Sequence, residues 1–297
     1  MITVFTPTYN RSYIIKKLYL SLLCQTYKDF EWLIVDDGST DDTQDLLLSI
    51  MSEKKIQIRY FKQENGGKHR AINRGVQEAN GELFFIVDSD DYLAENALER
   101  VHHHWSNVKD DAIFAGVCGI RVYPDGQKVG SKSNFVILDC CSLDFKFKYK
   151  IKGDAAEVFK TDILKMYRFP DIPGENFCAE SLIWNRIARK FKIRYFQEPI
   201  YICEYLPDGL SCSFLKNRVQ SPRYATLLYK ELSMADIPFF LKAKSLINYW
   251  RFAFHLQRPF TTKISEVGIM PIFLIPLSFL FFVKDYYLLS SEKKKNL

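Results

Sequence analysis

An apolar run that stops abruptly at three carboxylates is the feature that most constrains how this chain can fold. Residues 84–87 read Phe-Phe-Ile-Val, and Asp88, Asp90 and Asp91 follow within four positions. Four apolar residues of β-forming type are typical of a buried strand, so the acids lie where that strand emerges. In an open parallel α/β sheet, ligands bind at the carboxyl ends of the strands. The sequence therefore predicts an acidic binding site at one edge of such a sheet.

A second predicted strand ends in the same way. Residues 30–35 form this strand, and Asp36 and Asp37 follow it directly. Clustered carboxylates repel each other unless a cation neutralises them, and oxygen ligands suit Mg²⁺ or Mn²⁺. We therefore expect Asp88 and Asp90 to hold one of these ions. Two acidic strand ends also predict a ligand that carries both hydroxyl groups and a metal-bound phosphate. Asp91 is expected to cap the next helix or to orient a ligand.

The first hundred residues alternate between strand and helix patterns, which predicts a doubly wound α/β sheet. Strands are predicted at residues 2–5, 30–35, 56–61 and 83–87, and helices at 12–25, from about 41, and at 68–79. The pattern then changes to strands at 112–122 and 129–138 around a hairpin-like turn at 124–126. A strand followed by a helix start at Thr161, a helix at 181–191 and mixed strands to about residue 205 come next. The complete sheet is therefore expected to be mixed and flanked by helices.

The last ninety residues are predicted to be helical, hydrophobic and increasingly aromatic. No residue from Val267 to Val283 is charged, and these seventeen residues are at the lower limit for spanning a bilayer. Pro271 and Pro276 are expected to interrupt a straight helix, and basic residues flank the run on both sides. A re-entrant or interfacial membrane anchor fits these features better than a full span. The alternative is a hydrophobic helix packed on the rest of the chain or on a dimer partner.

Composition and cysteine usage narrow the class of protein. The formal net charge is +6, and no recognisable nucleic-acid-binding module accompanies it, so no nucleic-acid partner is expected. The seven cysteines lack CxxC spacing, and the chain starts directly with a predicted strand. Both features favour buried thiols in a reducing cytosol over a disulfide framework.

Four segments, each after a predicted strand, resemble the family 2 inverting glycosyltransferases with the GT-A fold. They are residues 6–11 (Thr-Pro-Thr-Tyr-Asn-Arg), residues 35–41 (Val-Asp-Asp-Gly-Ser-Thr-Asp), residues 65–68 (Asn-Gly-Gly-Lys) with Ala71 and Asn73, and the Asp88-x-Asp90 motif. The resemblance covers roughly residues 1–205. It implies a nucleotide-sugar-binding catalytic domain at 1–205 and leaves 206–297 as a helical region that is expected to associate with a membrane.

The resemblance also implies roles for individual residues. Pro7 and Tyr9 would pack against a nucleobase, and Asp36 and Asp37 would accept hydrogen bonds from the base or the ribose. Lys68, at a helix start after two glycines, would meet phosphate charge. Asp88 and Asp90 would bind the ion that bridges the donor diphosphate. The implied donor-binding residues are Pro7, Tyr9, Asp36, Asp37, Lys68, Asn73, Asp88 and Ser89.

Inverting transfer needs a carboxylate that removes the proton of the acceptor hydroxyl group. Family members commonly carry this base in a Glu-Asp pair at the start of a helix. In this chain the corresponding pair is Glu180 and Ser181, so the second acid is missing. Glu180 is the candidate base, and Glu175 and Asp154 are the alternatives.

These features predict a metal-dependent hexosyltransferase that uses Mn²⁺ or Mg²⁺. Its expected acceptor is a glycan or a lipid-linked glycan of a cell-surface polysaccharide, at the inner face of the cell membrane. A sugar nucleotidyltransferase would need a glycine-rich, basic loop after the first strand, and residues 6–11 are not one. A catalytically silent glycan-binding protein is supported only by Ser181. The donor sugar, the linkage and the oligomeric state stay open.

Overall fold

The computed structural model describes residues 1–204, 209, 213–268 and 270–295. The chain divides into two compact units. The first unit comprises Met1–Phe169 and Arg186–Leu206, and the second comprises Pro170–Asn185 and Pro207–Leu297. The boundary predicted between residues 205 and 206 lies outside the described residues.

Four parallel strands form the amino-terminal half of the sheet in the first unit. They are β1 (Ile2–Thr8), β2 (Phe30–Asp36), β3 (Ile58–Lys62) and β4 (Leu83–Ile86), and they lie in the order β3-β2-β1-β4. Three helices connect them: α1 (Lys16–Leu23), α2 (Thr43–Ser52) and α3 (Lys68–Glu78). The strand and helix alternation predicted for the first hundred residues is therefore confirmed.

The sheet continues with strands of both directions. The remaining strands are β5 (Tyr92–Leu93), β6 (Phe114–Val122), β7 (Ile137–Cys140), β8 (Ala155–Lys160) and β9 (Lys192–Ile202). Strand β8 is antiparallel to β4 and β6, β9 is parallel to β6, and both β5 and β7 pair antiparallel with β9. The helices of this part of the chain are α4 (Ala97–Ser106) and α5 (Thr161–Met166) in the first unit, and α6 (Ser181–Ile187), most of which belongs to the second unit. The predicted mixed sheet with flanking helices is confirmed.

The first strand and the turn predicted at residues 112–126 are confirmed, since β6 ends at Val122 and the Tyr123 amide donates to the Gln127 carbonyl at 2.8 Å. The second strand, predicted at residues 129–138, is wrong. Only an isolated bridge between Val122 and Lys128 continues the turn, and β7 begins at Ile137 and pairs with β9. Most of β6 is hydrogen-bonded to β8 on one edge and to β9 on the other. The mixed strands predicted up to residue 205 are the single strand β9, which ends at Ile202.

The core explains why β1 and β2 carry so many apolar residues. Every residue of both strands is buried, as expected for parallel strands covered by helices on both faces. Helix α3 lies very close to β1, because a Cβ atom built on Gly75 would lie 2.1 Å from the Phe5 ring. This packing holds the start of α3, where Lys68 lies, against the central strands.

The described part of the second unit is mainly helical, as predicted for the C-terminal region. It contains α7 (Phe214–Gln220), α8 (Pro222–Ser233), α9 (Phe239–Ala253), α10 (Phe260–Val267), a 3₁₀ turn (Met270–Leu274) and α11 (Ile275–Lys295). Pro276 does not interrupt α11, because it lies in the first turn, where no intrahelical N–H bond is needed.

Helix α11 packs along α9 with one face. Arg251 holds Asp285 through two hydrogen bonds, Nε–Oδ2 at 2.5 Å and Nη2–Oδ1 at 2.6 Å, and Asp285 is buried. Phe254 contacts Phe282 with ring centroids 5.5 Å apart. The opposite face is apolar and exposed, with 66% of Leu280 accessible to solvent, and so is 69% of Phe273 in the 3₁₀ turn just before the helix. Within the described residues, Ile272–Ser291 is the one helical stretch long and apolar enough to cross a membrane, and 11% of it is buried.

Candidate active site

The acidic segment after β4 contacts Lys68 in the first unit. The Nζ atom of Lys68, the first residue of α3, lies 2.6 Å from Oδ1 of Asp88. Burial disfavours the charged form of Asp88, but the positive charges of Lys68 and Arg121 outweigh burial and lower the pKa of Asp88. Burial and the negative charge of Asp88 raise the pKa of Asp90. The two predicted metal ligands therefore lie in an environment where a positive charge is favourable.

Asp91 is a structural residue of this segment and not a helix cap. Its carboxylate accepts hydrogen bonds from the Tyr201 hydroxyl at 2.6 Å and from the Glu204 backbone amide at 3.1 Å. Burial and the charge of Asp88 raise the pKa of Asp91 to about 7. The predicted capping role is wrong, because Asp91 precedes β5 and the next helix, α4, begins only at Ala97.

Tyr201 and Arg121 form a layer behind the carboxylates. The Tyr201 hydroxyl also accepts a hydrogen bond from the Asp88 backbone amide at 3.0 Å. The Arg121 guanidinium lies 4.1 Å from the centre of the Tyr201 ring, and its Nε donates to the Ala155 carbonyl at 2.8 Å. Sequence reasoning missed both residues. An arginine inside an otherwise apolar predicted strand was the one available signal for Arg121.

The glycine-containing loop before α3 is organised by Asp37. Its Oδ1 accepts hydrogen bonds from the Gly66 amide at 3.0 Å and the Gln63 side chain at 2.7 Å, and its Oδ2 accepts one from the Gly67 amide at 2.7 Å. Gly67 has a φ of 94°, a conformation that favours glycine. These contacts hold the loop that precedes Lys68. The contact of Asp37 with a base or ribose stays a prediction.

Asp36 is fully buried at the end of β2. Its Oδ1 accepts a hydrogen bond from the Ser39 amide at 2.7 Å, and its Oδ2 accepts one from the Tyr60 hydroxyl at 2.7 Å. Burial and the carboxylate of Asp36 raise the pKa of Tyr60. Ser39 in turn accepts a hydrogen bond from the Asn10 amide at 2.9 Å, which joins the segments after β1 and β2.

The other predicted donor-binding residues fall into different environments. Tyr9 is 46% exposed and available for stacking, whereas Pro7 is buried inside β1, which extends to Thr8. The Asn73 side chain bonds the backbone of Phe169 through both its amide nitrogen, at 2.9 Å, and its oxygen, at 3.0 Å. Ser89 is buried between the two metal-ligand candidates.

The candidate bases are distributed over both units. Glu180 lies in the second unit, where its carbonyl accepts the Ile183 and Trp184 amides at the start of α6. Glu175, also in the second unit, is buried, and its carboxylate accepts the Arg223 and Tyr224 amides at 2.8 and 3.0 Å. It therefore caps α8. Asp154 lies in the first unit, exposed and just before β8.

Asp88 and Asp90 fit a hard divalent cation whose remaining ligands come from a substrate and from water. Among the described residues, no group of three or more His, Cys, Asp or Glu side chains is placed to hold a metal ion. Asp88 and Asp90 can supply two carboxylates. Mg²⁺ sites in nucleotide-using enzymes commonly combine one or two carboxylates with phosphate oxygens and water.

The family model described as Glycosyl transferase family 2 matches residues 3–171, which is more than half of the chain. The chain belongs to glycosyltransferase family 2. The resemblance of the four sequence segments to this family is therefore confirmed.

Relatives and solved structures agree with this membership. An uncharacterised glycosyltransferase of Haemophilus influenzae is 26% identical over 60% of this chain and 69% of its own length. A Campylobacter jejuni relative, named GalNAc(5)-diNAcBac-PP-undecaprenol beta-1,3-glucosyltransferase, is 26% identical over 64% of this chain and 60% of its own. Other curated relatives are matched over only 14–38% of their lengths.

Two solved structures share the fold. S. aureus TarS 1-349 in complex with UDP-GlcNAc has a TM-score of 0.65 and 17% identity, and the match covers 99% of this chain and 92% of that one. A mannosyltransferase of Pyrobaculum calidifontis with GDP-Man and Mn²⁺ has a TM-score of 0.56 and 17% identity, over 99% and 86% of the two chains. The expected GT-A fold is confirmed.

Proposed function

We propose that this protein transfers a sugar, with inversion, from a nucleotide-sugar donor to a lipid-linked glycan during cell-surface polysaccharide synthesis. The single observation that carries the proposal is the pairing of Lys68 with Asp88 at the end of β4, beside Asp90. Cationic and anionic groups in one place suit a donor diphosphate and the cation that accompanies it. The solved TarS complex contains UDP-GlcNAc, which supports a nucleotide-sugar donor.

Asp88 and Asp90 are proposed to hold Mn²⁺ or Mg²⁺ with the donor diphosphate. The Mn²⁺ in the Pyrobaculum calidifontis complex supports this assignment. The ion would stabilise the negative charge that develops on the leaving diphosphate. Lys68 binds a diphosphate oxygen and adds to that stabilisation. Tyr201 holds the backbone of Asp88, and Tyr9 offers an exposed ring for the nucleobase.

Glu180 is proposed as the general base that deprotonates the acceptor hydroxyl group. Its place at the start of α6 supports the assignment, because the family places the base at a helix start. The capping role of Glu175 weakens the case for that alternative, since both of its oxygens accept backbone hydrogen bonds. Asp154 remains the second alternative.

The acceptor is proposed to be membrane-bound and to be reached from the cytoplasmic face. The name of the Campylobacter jejuni relative specifies a PP-undecaprenol-linked acceptor, which supports this substrate class. The exposed apolar face of α11 supports an interfacial placement. The Arg251–Asp285 pair favours a helix that stays folded on α9 over one that crosses the bilayer.

A donor panel with two variants tests the proposal. The wild type, Asp88→Asn and Glu180→Gln are incubated with UDP-, GDP- and dTDP-sugars and Mn²⁺, with and without a lipid-linked glycan acceptor, and nucleoside diphosphate release is followed. Glu180→Gln is expected to bind donor normally but to lose about 10²-fold or more in transfer, the usual scale of general-base loss. Asp88→Asn is expected to lose metal-dependent donor binding.

Each part of the proposed function is contradicted by a different experimental outcome. A wild type that hydrolyses and transfers no donor would indicate a catalytically silent glycan-binding protein. Normal transfer by Glu180→Gln would move the base to Asp154 or Glu175. Unchanged calorimetric affinity of Asp88→Asn for the nucleotide with Mn²⁺ would refute the metal assignment. Proton NMR of the product glycoside determines whether the anomeric configuration is inverted.

A further inference from the structure

The acidic segment after β4 is electrically matched by cations of the chain itself. Asp88 and Asp90 feel the positive charges of Lys68 and Arg11, and Asp88 and Asp91 feel that of Arg121. Lys68, which contacts Asp88 directly, and the more distant Arg11 and Arg121 thus contribute positive charge to this segment.

The cations at Asp88 differ in how they are held. Arg121 is fixed by the Tyr201 ring and by the Ala155 carbonyl. Lys68 reaches Asp88 at 2.6 Å from the end of a long side chain, while its backbone is anchored by the Asp37-bound loop. Because the Lys68 side chain is long and partly exposed, its ammonium group can move away from Asp88 while the backbone of α3 stays in place.

We infer that Lys68 holds the place of the divalent ion at Asp88, so that metal and donor diphosphate bind together and the metal alone binds weakly. A lone divalent ion must displace Lys68 from Asp88 and adds two positive charges beside the remaining cations of this segment. A diphosphate that arrives with the ion supplies the compensating negative charge, and its oxygens accept hydrogen bonds from the Lys68 ammonium group. This inference rests on the proposed function. It adds that the donor site binds the metal ion more tightly with the diphosphate than without it.

Calorimetric titration of Mn²⁺ into the nucleotide-free protein is the primary test. Lys68→Met is expected to bind Mn²⁺ alone about tenfold more tightly than the wild type, within the usual range for coupled sites. Lys68→Arg keeps the charge and is expected to bind Mn²⁺ as weakly as the wild type. Lys68→Gln provides an independent neutral variant if Lys68→Met does not fold.

A neighbouring lysine provides the matched control. Lys62 is exposed, and its Nζ bonds the Gln44 side chain at 2.8 Å, so Lys62→Met removes one surface charge without touching Asp88. It is expected to bind Mn²⁺ like the wild type. If Lys62→Met gains as much Mn²⁺ affinity as Lys68→Met, the gain reflects the lower net charge of the protein and the inference is overturned. Lys68→Met and Lys68→Gln variants that are folded by circular dichroism yet bind Mn²⁺ no more tightly than the wild type would also overturn it.

A second arm measures the coupling directly. The Mn²⁺ titration is repeated with saturating UDP, or with GDP if the wild type does not bind UDP. In the wild type the nucleotide is expected to tighten Mn²⁺ binding about tenfold or more, and in Lys68→Met this factor is expected to fall towards one. If the wild type binds neither nucleotide, the proposed function fails, while the nucleotide-free titrations still decide the role of Lys68.

Discussion

Asp41 connects two segments of the first unit through one carboxylate. Its Oδ2 accepts hydrogen bonds from the amide and the hydroxyl of Ser12 at 3.1 and 2.8 Å, and its Oδ1 accepts two from Thr43 at 3.1 and 2.5 Å. Burial opposes the charge, but these hydrogen bonds outweigh it and lower the pKa of Asp41 to about 2. Asp42 occupies the cap position of α2 without a side-chain hydrogen bond.

Replacing Asp41 with Asn is therefore expected to destabilise the fold at neutral pH by about 1–2 kcal/mol, after allowance for solvent screening. Because the pKa is lower in the folded state than the ordinary value of 3.8, this contribution is full above about pH 4. It disappears as the pH falls through 2. Urea unfolding at pH 7 and pH 2.5 measures the change. Asp42→Asn should stay within about 0.5 kcal/mol of the wild type, and equal losses in both variants would contradict the role given to Asp41.

At this scale the sequence indicated the carboxylates but not what supports them. Asp88 and Asp90 are recognisable because a strand end is a local pattern. The Tyr201 hydroxyl lies 110 positions from Asp91, and it reaches that carboxylate only because β9 belongs to the same sheet. Asp37 was predicted as a site residue, but its hydrogen bonds from Gly66 and Gly67 depend on how the loop after β2 contacts the loop before α3. Such pairings need the fold, because no sequence period encodes them.

Helix α8 shows how one side chain can organise the start of an element. Pro222 occupies its first position and has no N–H group to satisfy, and the next two amides, of Arg223 and Tyr224, donate to Glu175. The Phe177 amide donates to the Ser221 hydroxyl just before the helix. Residues 175–177 are thereby held to the start of α8 within the second unit.

Glu175→Ala is expected to lower the free energy of unfolding by about 1–3 kcal/mol, because it leaves two backbone donors without their acceptor. Glu175→Gln keeps one amide oxygen as an acceptor and should lose less. Thermal and urea unfolding measure both variants, with Asp236→Ala, an exposed position of the same unit, as the control. A stability of Glu175→Ala equal to that of the control would return Glu175 to the list of candidate bases.

The elements themselves were largely predictable, and the exceptions have physical causes. Strands β1, β2 and β4 are largely apolar runs and the helices between them carry a helical period, so their existence was clear from sequence. The second strand of the hairpin, predicted at 129–138, failed because the apolar pattern of β6 identifies a strand but not its neighbours. Pro276 was taken as a helix breaker, but it lies in the first turn of α11, where proline is compatible with the helix.

For the whole molecule, the outer face of α11 is the feature with the largest consequence for location. Its exposed aromatic and aliphatic side chains are accompanied by Lys284 and by two exposed tyrosines, Tyr286 and Tyr287. Basic and aromatic residues beside apolar ones suit the interface of an anionic membrane. The inner face is already used for packing on α9, so truncation of α11 would damage the second unit as well as remove the proposed membrane-binding face.

Substitution on the outer face is therefore the sharper test of membrane docking. Leu280→Glu on this face, and Phe273→Glu in the exposed 3₁₀ turn just before it, should each weaken binding to vesicles containing anionic lipid by about tenfold or more, because less apolar area is then buried in the membrane. Donor hydrolysis in solution should be spared. Val136→Glu, 80% exposed in the first unit, is the matched control. Co-sedimentation with vesicles measures the effect. A wild-type chain that stays monodisperse and does not sediment with vesicles would refute membrane docking.

The Arg251–Asp285 pair also has a consequence for how related sequences can diverge. A buried carboxylate that loses its arginine, or the reverse, leaves an uncompensated charge, which typically costs about 3–5 kcal/mol. Loss of both charges together avoids that penalty. The two positions, 34 residues apart, are therefore expected to covary: relatives that keep α11 against α9 should carry both charges or neither. Such paired substitution would identify this helix contact from an alignment alone.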